Sequence, residues 1–147
     1  MTFNGHVILL SLEGVGLTEL PNSIPNLRYL RYLNLSRNKI SHISRSIEEL
    51  ESLEYLYLKE NHLTKLTPSA GNLPNLRVLD LCKNVISDSW IHIRFSENIQ
   101  SIDLRENPVK LFNIRQSYRD LVDKDIFLID EFQLDEDVSE TINNSKK

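Results

Sequence analysis

The chain has 147 residues, 40% apolar and 26% charged, enough to close one folded core and keep its surface solvated. No apolar run approaches the roughly 18 residues that suggest a membrane span, and no basic stretch precedes Val7–Leu10 to make a secretory leader. Residues 1–119 carry a net +2 and residues 120–147 a net −6, so the basic footprint of a nucleic-acid binder is missing.

Read from the start, Val7, Leu10, Leu12, Val15 and Leu17 set a spacing that returns with a 23-residue period, first as Leu30, Leu33, Leu35, Asn38 and Ile40. It returns again as Leu53, Leu56, Leu58, Asn61 and Leu63, then as Leu76, Leu79, Leu81, Asn84 and Ile86, and last as Ile99, Ile102, Leu104, Asn107 and Val109. Five units without an insertion define a repeat architecture, with starts near residues 7, 30, 53, 76 and 99. Within each unit the L-x-L pair has period two. Leu33 and Leu35 therefore share one face of a short strand, while Tyr32, Asn34 and Ser36 face the other way. The Asn falls where the chain must bend inward. Its amide carries both donors and an acceptor, so four of them in register predict a ladder that satisfies buried backbone groups.

The second half of each unit varies. Leu20-Pro21-x-x-Ile24-x-x-Leu27, Ile43-x-x-x-Ile47-x-x-Leu50 and Leu66-x-x-x-Ala70-x-x-Leu73 keep a looser apolar spacing. Ser46-x-x-Glu49 reads as a capping box for a short helical turn. Pro25, Pro68 and Gly71 predict extended or 3₁₀ backbone around them. In the fourth unit Ser89 and Ser96 occupy aliphatic slots, and Trp90 and Phe95 are expected to refill the volume. Asn113-x-x-Gln116 then opens an amphipathic helix through Ile114, Tyr118, Leu121 and Val122, and Ile126–Ile129 reads as a final extended piece.

This pattern resembles the leucine-rich repeat proteins from residue 7 to about residue 131. The resemblance implies an α/β solenoid whose units each add one strand to a parallel concave sheet, closed by a helical cap. The expected organisation is residues 1–112 as repeats, 113–131 as cap and 132–147 as an acidic flexible tail. Val15 stands where the family places Asn, and with only six residues before Val7 the aliphatic end of the first coil is expected to be poorly shielded. That strand, Leu9 to Glu13, is thus a candidate for edge contact or self-association. Asn107, Pro108, Val109, Tyr118, Arg119, Ile129 and Asp130 resemble the C-terminal cap of an intracellular subgroup. This group includes phosphatase-binding repeat proteins, the spliceosomal A-prime protein and acidic nuclear phosphoproteins. The likeness implies a cytoplasmic or nuclear protein.

No grouping of residues points to catalysis. His6, His42, His62 and His92 lack metal-ligand spacing, and the phosphate-binding, nucleophile-elbow and zinc-protease motifs are absent from the sequence. Cys82 can form neither an internal disulfide nor a thiolate zinc cage, and as a nucleophile it has no nearby base. No cofactor and no metal is expected. The outward strand positions are the informative ones. Tyr32, Asn34, Tyr55, Tyr57, Lys59, Val78, Asp80, Cys82, Asp103 and Arg105 are the candidate partner-binding residues. Tyrosines combine large contact area with a polar tip, and the mixed signs around them fit a protein partner better than a phosphate backbone. The expected function is a non-catalytic scaffold that binds a protein in its concave face. The cap likeness offers a regulatory subunit of a type-one phosphatase or an assembly factor of a ribonucleoprotein as alternatives. Direct RNA binding is a disfavoured third.

Overall fold

The computed structural model describes residues 1–65, 68–87, 95–109 and 127–128. Two short strands, β1 (Thr2–Phe3) and β2 (His6–Val7), precede the solenoid. One short strand follows in each unit: β3 (Leu9–Ser11), β4 (Tyr32–Asn34), β5 (Tyr55–Tyr57), β6 (Val78–Asp80) and β7 (Ser101–Asp103). The last strand is β8 (Phe127–Leu128). Strands β3 to β8 form one sheet in sequence order, every pair parallel.

The register is the repeat itself. Leu10 pairs with Leu33, Leu33 with Leu56, Leu56 with Leu79 and Leu79 with Ile102, each step one repeat length. The final step, from Ile102 to Phe127, is longer than the others. Like side chains therefore stack on like ones, one strand spacing of about 4.8 Å apart. Leu33, Leu35, Leu56, Leu58, Leu79 and Leu81 are fully buried in one continuous core. Each contributes on the order of 1.5–3 kcal/mol by leaving water.

The four asparagines form the predicted ladder. The Asn61 Oδ1 accepts the Ile40 N–H at 3.0 Å, and its Nδ2 donates to the Leu35 and Leu58 carbonyls at 2.9 and 3.0 Å. Asn84 repeats this with the Leu63 N–H and the Leu58 and Leu81 carbonyls. Asn107 repeats it with the Ile86 N–H and the Leu81 and Leu104 carbonyls. Asn38 opens the series with the Leu17 N–H and the Leu12 and Leu35 carbonyls. Adjacent rungs thus share a carbonyl, and the polar interior of each bend is bonded to its neighbours. The residue before each Asn is left-handed: Arg37, Glu60, Lys83 and Glu106 have φ of 57°, 55°, 57° and 57°, and the first unit places Gly14 there at 68°. Only glycine adopts this conformation without steric cost, and the ladder's hydrogen bonds hold the other four in it.

The poorly shielded first coil is partly covered by the residues before Val7. Asn4 and Gly5, with φ of 49° and 79°, make the two-residue turn that pairs β1 with β2, and Asn-Gly is the dipeptide this turn favours. Met1 then runs beside β3: its amine donates to the Leu9 carbonyl, and its carbonyl accepts the Ile8 and Leu9 N–H groups. The shielding is incomplete, because Leu10, Leu12 and Leu17 stay half-buried where their counterparts in the second unit are fully buried.

On the convex side, 3₁₀ turns span Ile24–Asn26 and Arg45–Glu49. The first agrees with the expectation from Pro25. The second is capped by Ser44, whose Oγ accepts the Ser46 N–H at 3.3 Å, rather than by a Ser46–Glu49 box. Pro68–Gly71 form a single α-helical turn, α1, in place of the expected extended or 3₁₀ backbone. Phe95 packs against the core, and Ser96 fills its aliphatic slot by bonding the Pro74 carbonyl at 2.7 Å. Strand β8 lies within the predicted final extended piece. Ser89, Trp90, the cap helix and the acidic tail lie outside the described residues.

Candidate functional site

The strands present three rows of outward side chains, and the register decides which residues meet. Tyr32 lies opposite Tyr55 and Tyr55 opposite Val78, while Asn34 lies opposite Tyr57, Tyr57 opposite Asp80 and Asp80 opposite Asp103. The three tyrosines converge: the Tyr32 ring centroid is 5.1 Å from that of Tyr57 and 6.3 Å from that of Tyr55. All three are half-buried, so ring surface remains for an incoming partner. Burial, with Tyr32 and Asp80 adding to it, pushes the Tyr57 phenol above its ordinary pKa, so its hydroxyl is neutral and able to donate at physiological pH.

The acidic and amide residues of the row tie themselves to the strand ends. Asn34 Oδ1 accepts the Ser36 N–H at 2.9 Å, Asp80 Oδ1 the Cys82 N–H at 3.0 Å, and Asp103 Oδ1 the Arg105 N–H at 3.0 Å. Arg105 also folds back onto Asp103, with Nη2 to Oδ2 at 2.6 Å. Lys59 stands between Ser36 and Cys82 in the row just beyond the strands. Cys82 is the exception among the candidates. Expected to face a partner, it is only 4% exposed, a short side chain between the longer Lys59 and Arg105. Its Sγ lies 3.8 Å from Glu106 Oε1, and burial pushes the thiol up to about 11, so it stays protonated and unreactive at neutral pH. Ser36, on the same outward row, is likewise buried.

Two rows of charge frame this floor. Beyond the strands, Glu13, Arg37, Glu60, Lys83 and Glu106 alternate in sign and pair successively, at 3.6, 3.5, 3.7 and 3.9 Å. Before the strands, Glu54 bridges Arg31 and Arg77, at 2.5 and 3.6 Å. The individual charges of the first row are readable in the sequence, and Arg37, Glu60, Lys83 and Glu106 alternate down one repeat column, whereas Glu13 stands one place before Gly14, the first unit's member of that column. The second row sits just before each strand and shows as Arg-Glu-Arg at successive repeats. Each exposed pair is worth about 0–1 kcal/mol, so the rows orient more than they stabilise.

The three described histidines do not converge, and His92 lies outside the described residues. His6 stacks on Tyr29 with ring centroids 3.9 Å apart, His42 meets Ser41, and His62 is exposed. Among the described residues no three His, Cys, Asp or Glu side chains are grouped to hold a metal ion, and no helix is long and apolar enough to cross a membrane.

The stacked strands, the asparagine ladder and the repeat register define a leucine-rich repeat solenoid. The family descriptions agree: "Leucine rich repeat" matches residues 6–63, and "Leucine Rich repeats (2 copies)" matches residues 51–90. The chain has the leucine-rich repeat fold, and residues 6–90 match the repeat descriptions. Among solved structures it is similar to a leucine-rich repeat protein of Leptospira interrogans, at 28% identity and a TM-score of 0.51 over 83% of this chain and 24% of that one. It is also similar in fold to internalin C2 of Listeria monocytogenes, at 24% identity and a TM-score of 0.57 over 72% of this chain and 47% of that one. A further internalin of Listeria monocytogenes, inlF, is similar in fold at 24% identity and a TM-score of 0.54, over 71% of this chain and 36% of that one. The chain thus spans less than half the length of each of these structures. No curated protein matches it in sequence. Leucine-rich repeat proteins generally act as protein-interaction modules and are typically non-enzymatic. Of the residues that carried the likeness to one intracellular subgroup, Asn107, Pro108 and Val109 are described, whereas Tyr118, Arg119, Ile129 and Asp130 lie outside the described residues.

Proposed function

We propose that the chain is a non-catalytic module that holds a protein partner in its concave groove. The observation that carries this reading is the cluster of Tyr32, Tyr55 and Tyr57 on a floor whose rims are already charge-paired. Nothing in the core requires three aromatic rings on the outward face. Tyrosine at the centre of an interface supplies contact area at little entropic cost, while rim charges govern register and association rate. The alternating rows argue against RNA, because a phosphate backbone calls for an unbroken cationic track. A phosphatase regulatory subunit or a ribonucleoprotein assembly factor, in cytoplasm or nucleus, would each be an instance of this role.

The test is the double variant Tyr55→Ala/Tyr57→Ala against a partner captured with the wild-type chain. The expected result is an affinity loss of at least about tenfold with an unchanged fold, as truncating central aromatic anchors produces. Unchanged affinity in a folded double variant removes the groove from consideration.

A further inference from the structure

The repeat allows one unit to serve as the reference for the next. Asp80 and Asp103 occupy the same row on neighbouring strands, and each accepts the backbone N–H two residues on. At Asp103 that second residue is Arg105, whose guanidinium returns to the carboxylate through contacts of 3.0, 3.2 and 2.6 Å. At Asp80 it is Cys82, which is buried and brings no charge. Among the described residues no cation forms an ion pair with Asp80, and Lys59 and Arg105 act on it only from farther away. Half-buried Asp80 therefore has its backbone bond but lacks the cation that its neighbour holds. The desolvation that comes with this position raises its carboxyl pKa, and Asp103 adds to the effect.

The other side of Asp80 is aromatic. Tyr57 lies directly opposite it, and Tyr55 and Val78 pair one step earlier on the same two strands, with Tyr32 against the rings. Carboxylate and ring faces attract the same kind of group. We propose that Asp80 and the Tyr32–Tyr55–Tyr57 cluster form the seat of an arginine side chain presented by the protein partner, an inference that rests on the groove reading above. A guanidinium can lie flat on a tyrosine face while donating to the open Oδ2 of Asp80, a combination that a compact ammonium makes less well. An apolar occupant would complete the desolvation of Asp80 without pairing it, and an acidic occupant would be repelled by it. Lys59 and Arg105 stand in the next row, beyond the strand ends, while Tyr55 and Val78 lie on the other side of the Tyr57–Asp80 pair.

The experiment uses the full chain and acetylated, amidated pentapeptides Gly-Ser-X-Ser-Gly, where X is arginine, citrulline or glutamate. Binding is followed by nuclear magnetic resonance through the backbone amides of Tyr57 and Asp80. The arginine peptide is expected to bind about tenfold tighter than its isosteric but neutral citrulline counterpart, as a charge-assisted pair predicts. Asp80→Asn is expected to erase that preference. The variant keeps the strand-end bond, since Asn34 makes the same bond to Ser36, and its melting curve verifies the fold. Equal binding of arginine and citrulline, or a preference that survives Asp80→Asn, overturns the proposal. Tighter binding of glutamate also overturns it and moves the charge recognition to Lys59. If the preference is absent while Tyr55→Ala/Tyr57→Ala still releases the protein partner, the cation seat falls and the groove reading stands.

Discussion

Asn61→Ala removes one rung from the middle of the ladder. The wild-type amide accepts the Ile40 N–H and donates to the Leu35 and Leu58 carbonyls, with a longer contact to the Lys59 carbonyl at 3.4 Å. The loss is less than four times the worth of a hydrogen bond. The Leu35 carbonyl keeps Asn38 as donor and the Leu58 carbonyl keeps Asn84, at 2.8 and 2.9 Å. Ile40 N–H loses its acceptor outright in a buried bend. One stranded buried donor costs about 1–3 kcal/mol, which sets the expected destabilisation. For a chain of this size that corresponds to a fall in Tm of about 3–10 °C, measurable by circular dichroism or calorimetry. Asn61→Asp sharpens the test. It keeps an acceptor for Ile40 but turns a carboxylate towards two carbonyls, so at neutral pH it should destabilise more than alanine and recover on acidification. A Tm unmoved by Asn61→Ala, or an aspartate variant indistinguishable from it at every pH, would rule out the ladder as an energetic element.

Leu56→Ala, at a fully buried position packed between two coils, should cost about 2–5 kcal/mol in denaturant unfolding, because the stacked strands cannot collapse into the cavity. Lys83→Glu places three acidic residues in succession along the outer row, between Glu60 and Glu106. It should destabilise by about 1 kcal/mol or less at low ionic strength, and the effect should shrink with added salt. Asp80→Asn should raise the Tm at neutral pH, since it keeps the Cys82 bond and removes a partly desolvated charge. The folded-state pKa of Asp80 is raised, so the cost of its charge exists above that pKa and disappears as pH falls towards the ordinary value of 3.8. The advantage of the variant should therefore narrow on acidification, and a constant difference across that range would count against a desolvated Asp80.

The repeat, its register and the floor of the groove were legible in the amino acids alone. A 23-residue period can satisfy its leucines only by stacking each unit on the next, so Leu33, Leu56 and Leu79 had to meet, and Tyr32, Tyr55 and Val78 had to line up opposite them. The asparagine bends were legible for the same reason, because one side chain carries donors and an acceptor at every turn. Packing between coils governs what lies beyond that local period. Whether an outward side chain is reachable depends on its neighbours one unit away: Cys82 is buried, with the Glu106 carboxylate of the next unit 3.8 Å from its sulfur. The left-handed backbone at Arg37, Glu60, Lys83 and Glu106 runs against their intrinsic preference and is held by ladder bonds between coils, so only Gly14 hinted at it. Which charges are paired is decided by the fold as well: Asp103 has its cation two residues on, in Arg105, Glu60 has Arg37 and Lys83 on either side, and Asp80 has none among the described residues. Periodicity fixes which backbones are neighbours, but exposure and most of the charge pairing arise from side chains a full repeat apart, a separation that only the folded stack closes.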